Sequence, residues 1–203
     1  MSVTPDKDEI RENQAESNGH RWGKQIFFMG IAILGIGLFW MQKDHYKAYQ
    51  QWNKAQMFYN NKAYEAALEV YEPLYPLLKH KPEFLFEAAQ SLSKTGQYEK
   101  ANEYLERAVL LSSDPMLYYV MAKNEQCLGE YRQAEKHLLH AIDILPERIY
   151  PYYLLMNLYT EPSYFQPAKL KMAIDSVLTK KPKVESSAIK EMKEKARSML
   201  NNT

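Results

Sequence analysis

Five histidines are the first side chains to test for chemistry: His20, His45, His80, His137 and His140. Only His137 and His140 are close enough in the chain to share a ligand, since an i,i+3 pair lies on one face of a helix. A metal would need further donors beside them, and Glu135 is not clearly one. No nucleophile elbow, phosphate loop, Cys–His pairing or constrained acid pair occurs. Cys127 is the only cysteine, which excludes an intrachain disulfide. The expectation is no enzyme, no cofactor and no metal site. A second set of residues carries binding chemistry instead. Trp52, Phe86, Tyr119 and Tyr153 recur at intervals of 33 or 34 residues, and Gln56, Gln90, Lys123 and Asn157 each follow a ring by four. Rings offer flat faces and amides offer donor and acceptor together, which suits an extended peptide or a sugar chain. Aromatic residues at a recurrent position also pack one repeat on the next, so both roles stay open.

The spacing of these rings follows from the elements that carry them. In Leu128–Pro146, LGEYRQAEKHLLHAIDILP, residues Gly129, Tyr131, Ala134, Leu138, Ala141 and Pro146 have physical roles in a helix-turn-helix. Gly129 lets the chain turn, Ala134 and Ala141 are small where two helices approach closely, and Pro146 stops the second helix. Gly96, Tyr98, Ala101, Leu105 and Ala108 repeat the pattern 33 residues earlier. Tyr64, Ala67, Tyr71 and Leu74 repeat it again, with Lys62 at the glycine position. Phe165, Ala168 and Met172 make a degenerate fourth copy 34 residues downstream, where Ser163 replaces glycine and Pro162 and Pro167 flank the turn. The pattern resembles the tetratricopeptide repeat (TPR), a helical hairpin of about 34 residues.

Helix pairs are therefore predicted over about 46–60 with 64–78, 83–94 with 98–111, 115–127 with 131–145, and 151–159 with 167–178. Each helix is amphipathic and buries its apolar face only against stacked neighbours. A final helix over about 185–200 places Ile189, Met192, Ala196, Met199 and Leu200 on one face and caps the stack. The first helices of such a stack line its concave surface, and that is where the eight ring and polar residues fall. The 203-residue chain has 26 Lys and Arg against 25 Asp and Glu, which gives no electrostatic case for nucleic acid.

Residues 1–21 are polar and predict a short disordered tail. Ile26–Met41, IFFMGIAILGIGLFWM, is uncharged throughout. As a helix it spans roughly 24 Å, somewhat short of the ~30 Å hydrocarbon core. Trp22, Lys24 and Trp40 suit the two interfaces and supply the missing length. A cleaved signal peptide fits less well, because no small-residue cleavage site follows. Gly30, Gly35 and Gly37 lack the G-x-x-x-G spacing of a dimerising span. Lys and Arg are nearly balanced across the segment. The expected fold is all-α: a single N-terminal transmembrane helix (22–43), then a TPR α-solenoid of about four repeats with its capping helix (44–203).

From Trp40 to the end, the chain resembles the C-terminal tail of bacterial O-antigen ligase and polymerase-like membrane proteins. The segments that carry the likeness are YEAALEVYEPLYPLLK (64–79), FLFEAAQSLSKTGQYEKANEYLERA (84–108), DPMLYYVMAKNEQCLGEYRQAEKHLLHA (114–141), PERIYPYYLLMNLY (146–159) and KPKVESSAIKEMKEKARSML (181–200). The resemblance implies a TPR array beside a glycan-handling membrane site. Those enzymes hold their catalysis in a bundle of many membrane helices, and no residue here matches a catalytic position. What is implied is a membrane-anchored adaptor holding a protein partner in its groove during envelope polysaccharide assembly. The alternative is a detached glycan-binding tail acting with a separate ligase. The bacterial inner membrane is the expected location, single-pass, with the repeats periplasmic.

Overall fold

The computed structural model describes the backbone of residues 7–182 and 184–200, and the side chains of residues 27–37, 43–182 and 184–200. The chain divides into two compact units, one up to Tyr49 and one from Gln50 onward. Helix α1 spans Lys7–Asn60. Then follow α2 (Tyr64–Leu78), α3 (Pro82–Lys94), α4 (Tyr98–Val109), α5 (Pro115–Cys127), α6 (Tyr131–Ile144), α7 (Tyr150–Leu158), a 3-10 turn over Pro162–Tyr164, α8 (Pro167–Thr179) and α9 (Ser187–Leu200). No strand occurs among the described residues.

In the first unit, the stretch expected to be a disordered tail is helical from Lys7 onward. Nucleating a helix is costly but extending one is cheap, so polar residues can join a helix without burying anything. The anchor expected at Ile26–Met41 falls partly outside the residues whose side chains are described. Among the described residues, no helix is long and apolar enough to cross a membrane. Phe27, Phe28, Met29, Ile31, Ile33, Leu34 and Ile36 are all exposed.

The second unit is a run of helix pairs in which, from α2 onward, each helix packs on the next in the chain. Proline at the start of α3, α5 and α8 costs nothing, because the first N–H groups of a helix have no intrahelical partner. Asp114 caps α5, its side chain accepting from the Met116 N–H at 2.9 Å.

Three of the turns are built alike. Lys62, Gly96 and Gly129 have φ of 61°, 80° and 78°. The next N–H in each case reaches back five residues: Ala63 to Phe58 (2.9 Å), Gln97 to Leu92 (2.9 Å) and Glu130 to Glu125 (2.8 Å). That is the Schellman ending, which satisfies carbonyls the helix leaves open and needs a left-handed residue. Lys62 adopts this conformation although it carries a side chain. Small residues then let the helices approach: Ala67, Ala101, Ala108, Ala134 and Ala141 are fully buried.

The fourth repeat departs from the expected spacing. Ala168 is exposed, Met172 is 69% exposed and Phe165 54% exposed, so none packs where the 34-residue period puts it. The buried residues of α8 are Leu170, Ala173, Ile174 and Val177. Leu170, Ile174 and Val177 lie 36 positions after Ala134, Leu138 and Ala141. The 3-10 turn at Pro162 lengthens the connection and shifts the helix face by two residues. Helix α9 then packs on α8, with Ala196 fully buried.

Candidate functional site

The first helices of successive repeats are the end of α1 from Gln50, then α3, α5 and α7. The eight ring and polar residues sit on these helices, but they do not form one open row. At the N-terminal end they turn to a carboxylate. Trp52 Nε1 and Gln56 Nε2 donate to Glu87 at 2.7 and 2.8 Å, and Tyr71 joins them through its hydroxyl at 3.1 Å. Burial and then the Glu87 charge push the Tyr71 phenol far above its usual value. Tyr59 donates its hydroxyl to the Gln90 side-chain oxygen. Trp52 also meets Phe84 edge-on at 5.7 Å. Phe86 is half-buried.

At the other end α9 engages the ring and amide of α7. Lys195 Nζ lies 5.4 Å from the centre of the Tyr153 ring and donates to Asn157 Oδ1 at 2.8 Å. Tyr153 stacks on Tyr150, and Tyr150 meets Tyr119 edge-on at 5.2 Å. Tyr119 is only 5% exposed, which gives its ring the packing role of the two left open by its spacing. Its hydroxyl is buried without a hydrogen-bond partner among the described residues. Burial accounts for most of the upward pressure on that phenol, with Arg148 acting against it.

The open part is the middle. Gln90, Tyr119 and Lys123 line a pocket of about 400 Å³ together with Ser93 and Lys94 of α3, Tyr98 at the start of α4, and Tyr150 of α7. Helix α5 adds Met116, Val120, Asn124 and Cys127, a stripe at three- and four-residue steps. Apolar atoms of Met116, Val120 and the tyrosines make up its walls. Three of its polar groups are donors: the Gln90 amide and the ammonium groups of Lys94 and Lys123. Gln90 has its oxygen taken by Tyr59, which leaves its NH₂ group. Lys94 and Lys123 are exposed and make no salt bridge among the described residues. Asn124 is nearly fully buried and donates to Asn102 at 2.8 Å. The Cys127 thiol lies beside Tyr98 and holds that phenol above its usual value.

Lys94, Val120 and Tyr150 were not singled out from the sequence. Lys94 lies one turn beyond Gln90 on the same face, so helical periodicity applied to Gln90 would have found it. Tyr150 precedes the ring of its own repeat by three, the offset at which helix residues share a face.

The histidines do other work. His137 Nδ1 lies 2.8 Å from Oε1 of Glu125, which is 3% exposed, and His140 meets the Tyr118 ring at 4.6 Å. Among the described residues, no three His, Cys, Asp or Glu side chains gather as a metal site requires. Glu135 is the other polar centre. It accepts from the hydroxyls of Tyr159 and Tyr164 and from Lys169 Nζ, each at 2.6 Å. Burial alone would raise its pKa, but Lys169, Tyr159 and Tyr164 outweigh it and hold the carboxyl below its usual value. Tyr164, mainly through burial and then Glu135, is pushed up to about 12.

Comparison with known proteins agrees with this fold. Residues 60–141 match the family model described as anaphase-promoting complex, cyclosome, subunit 3. The protein MamA, residues 41 to the end from Desulfovibrio magneticus RS-1, superposes with a TM-score of 0.61 at 20% identity, over 77% of this chain and 92% of that one. A second MamA crystal structure gives 0.60 at 17% identity, over 76% and 88%. A kinesin light chain candidate from Podospora anserina, with nearly identical TPR-like repeats, gives 0.57 at 17% identity, over 77% and 88%. The fold is of the TPR type. No curated protein matches the sequence. At these identities the TPR likeness concerns the fold, and the pocket residues stand on their own chemistry.

Proposed function

We propose that the chain is a membrane-anchored TPR scaffold that holds a segment of a protein partner in the pocket between α3, α5 and α7. One observation carries the reading: the middle of the groove keeps its donors and apolar walls open, while both ends are tied up internally. Gln90, Lys123 and Lys94 are the candidate contact residues. Trp52, Gln56, Tyr153 and Asn157 hold the groove's shape from its two ends. The seven exposed apolar side chains between Phe27 and Ile36 support the anchor, since a contiguous apolar surface of this kind is costly in water. The resemblance to O-antigen ligase tails supports a partner in envelope polysaccharide assembly at the bacterial inner membrane, with the repeats on the periplasmic side.

The test places a photoreactive amino acid at Val120, in the pocket, and separately at Leu139, which is exposed on α6. Full-length chain in membranes is cross-linked and its adducts identified. A distinct protein adduct at Val120 and none at Leu139 is expected. Identical adducts from both positions would remove the groove from the function. Carbonate extraction tests the anchor separately: full-length chain should stay with the membrane pellet, and a chain beginning at His45 should not.

A further inference from the structure

We propose that this pocket selects an acidic segment, holding an Asp or Glu side chain of an extended peptide between Lys94 and Lys123 while a neighbouring apolar side chain rests on Met116, Val120 and Tyr150. The inference deepens the groove reading and rests on it. Its ground is the make-up of the pocket lining, cationic with no acid to balance it. The chain as a whole is balanced, with 26 basic and 25 acidic residues. The pocket nevertheless has two lysines and no carboxylate among its lining residues. Two other concavities of this unit differ: one includes Glu130, and the other includes Glu135 and Asp143 among its lining residues. Two lysines elsewhere do meet acids: Lys100 meets Glu72, and Lys169 meets Glu135 at 2.6 Å.

Hydrogen-bond capacity points the same way. An ionised carboxylate only accepts, with room for several donors. Lys94, Lys123 and the Gln90 NH₂ group are donors whose acceptors are not supplied by the described part of the chain. Apolar walls beside them lower the local dielectric and strengthen charge-assisted hydrogen bonds. Because both lysines are exposed, each contact is worth little alone and is screened by salt. Selection therefore comes from the pair acting together and falls with ionic strength. A volume of about 400 Å³ lies within the range of ligand pockets and suits a pair of side chains better than a folded surface.

The probe is a fluorescent nine-residue peptide, acetylated and amidated so that only side chains carry charge, alternating Asp or Glu with Leu or Phe. Its control replaces every Asp by Asn and every Glu by Gln. Anisotropy titrations use the full-length chain in detergent micelles. The acidic peptide should bind at least about tenfold tighter than its control at low salt, with the gap closing toward 0.5 M salt. Lys123→Gln should cost several-fold, and the double charge reversal Lys94→Glu, Lys123→Glu should abolish the preference. Melting should be unchanged in these variants, since both side chains are exposed. Equal binding of the two peptides would overturn acidic selection, and so would failure of both to bind. A phosphoserine peptide binding about tenfold tighter than the acidic one would overturn it in favour of phosphate recognition. The Val120 cross-link separates these failures from failure of the groove reading, since a partner adduct there persists even if the charge preference is absent.

Discussion

Repeats three and four solve one packing problem in two ways. In repeat three, a left-handed Gly129 turns the chain in a single step, and fully buried Ala134 and Ala141 bring α6 against its neighbours. In repeat four, no left-handed residue ends α7. The chain passes through the Pro162–Tyr164 turn, and α8 presents Leu170, Ile174 and Val177 where repeat three has Ala134, Leu138 and Ala141. Bulkier residues occupy the small-residue positions, and a polar lock compensates for the looser connection: Tyr159, Tyr164 and Lys169 close on Glu135 from the preceding repeat. Apolar close approach holds the regular repeat. A carboxylate with three donors ties on the irregular one.

A large effect that would break this contrast is overpacking of repeat three. Ala141→Leu places a branched side chain at a fully buried crossing and should cost roughly 1–3 kcal/mol or more. Thermal melting reads it. Repeats stack on shared interfaces, so the loss should spread beyond α6. An unchanged midpoint would mean that the helices are not in close contact at Ala141.

Next is the lock. Glu135→Gln should cost on the order of 1–3 kcal/mol, because buried Tyr159, half-buried Tyr164 and exposed Lys169 lose their charged acceptor. A carboxyl held below its usual pKa contributes stability that is present above its unfolded pKa and is lost as pH falls through the lowered folded one. The gap in melting between the wild type and E135Q should therefore be full at pH 7, and should shrink progressively below about pH 4. A gap that stayed constant down to pH 3 would show that the Glu135 charge does not hold repeat four.

Much of this was legible in the chain. The three regular turns were visible because a left-handed residue has a chemical signature, glycine, at Gly96 and Gly129, and the period carried it back to Lys62. The fourth was not, since Pro162 and Pro167 mark a turn without fixing how many residues it spends. A two-residue difference was enough to expose Ala168 and Met172. The groove was legible as a position but not as a site. Spacing places Trp52 and Tyr153 on the first helices, yet whether a ring faces solvent depends on partners from other elements. Glu87 draws Trp52 and Gln56 inward, and Lys195 arrives on α7 from the capping helix. Neither partner lies at a position the period marks.

A smaller effect sharpens the turn comparison. Lys62 holds a conformation that costs a residue with a side chain about 1 kcal/mol or more. Lys62→Gly should therefore be stabilising by up to about 1 kcal/mol, less what the freer unfolded chain returns. Gly129→Ala should lose a similar amount, and for backbone reasons alone, because nothing lies within 4 Å of the added Cβ. Opposite signs at equivalent positions in chemical denaturation would establish that the two turns share one geometry. Equal signs would separate them.

The smallest expected effect is the most discriminating. Under a strict 34-residue period, Ala168 is the counterpart of Ala134, and Ala168→Leu should be as harmful as Ala134→Leu. In the structure Ala168 is exposed at the start of α8, while Leu170 takes the buried place. Surface changes away from special features stay within about 0.5 kcal/mol, and leucine is nearly as good a helix former as alanine. Ala168→Leu should therefore leave the melting midpoint where it was, with Ala134→Leu beside it as the damaging control. Leu170→Ala completes the set. It removes a nearly fully buried side chain and should cost about 2–5 kcal/mol, the range of buried leucine truncations. A harmful Ala168→Leu with a tolerated Leu170→Ala would restore the 34-residue register and undo the difference between the two repeats. The reverse pattern confirms that the fourth repeat has slipped by two residues, with its hydrophobic face re-read from a different set of side chains.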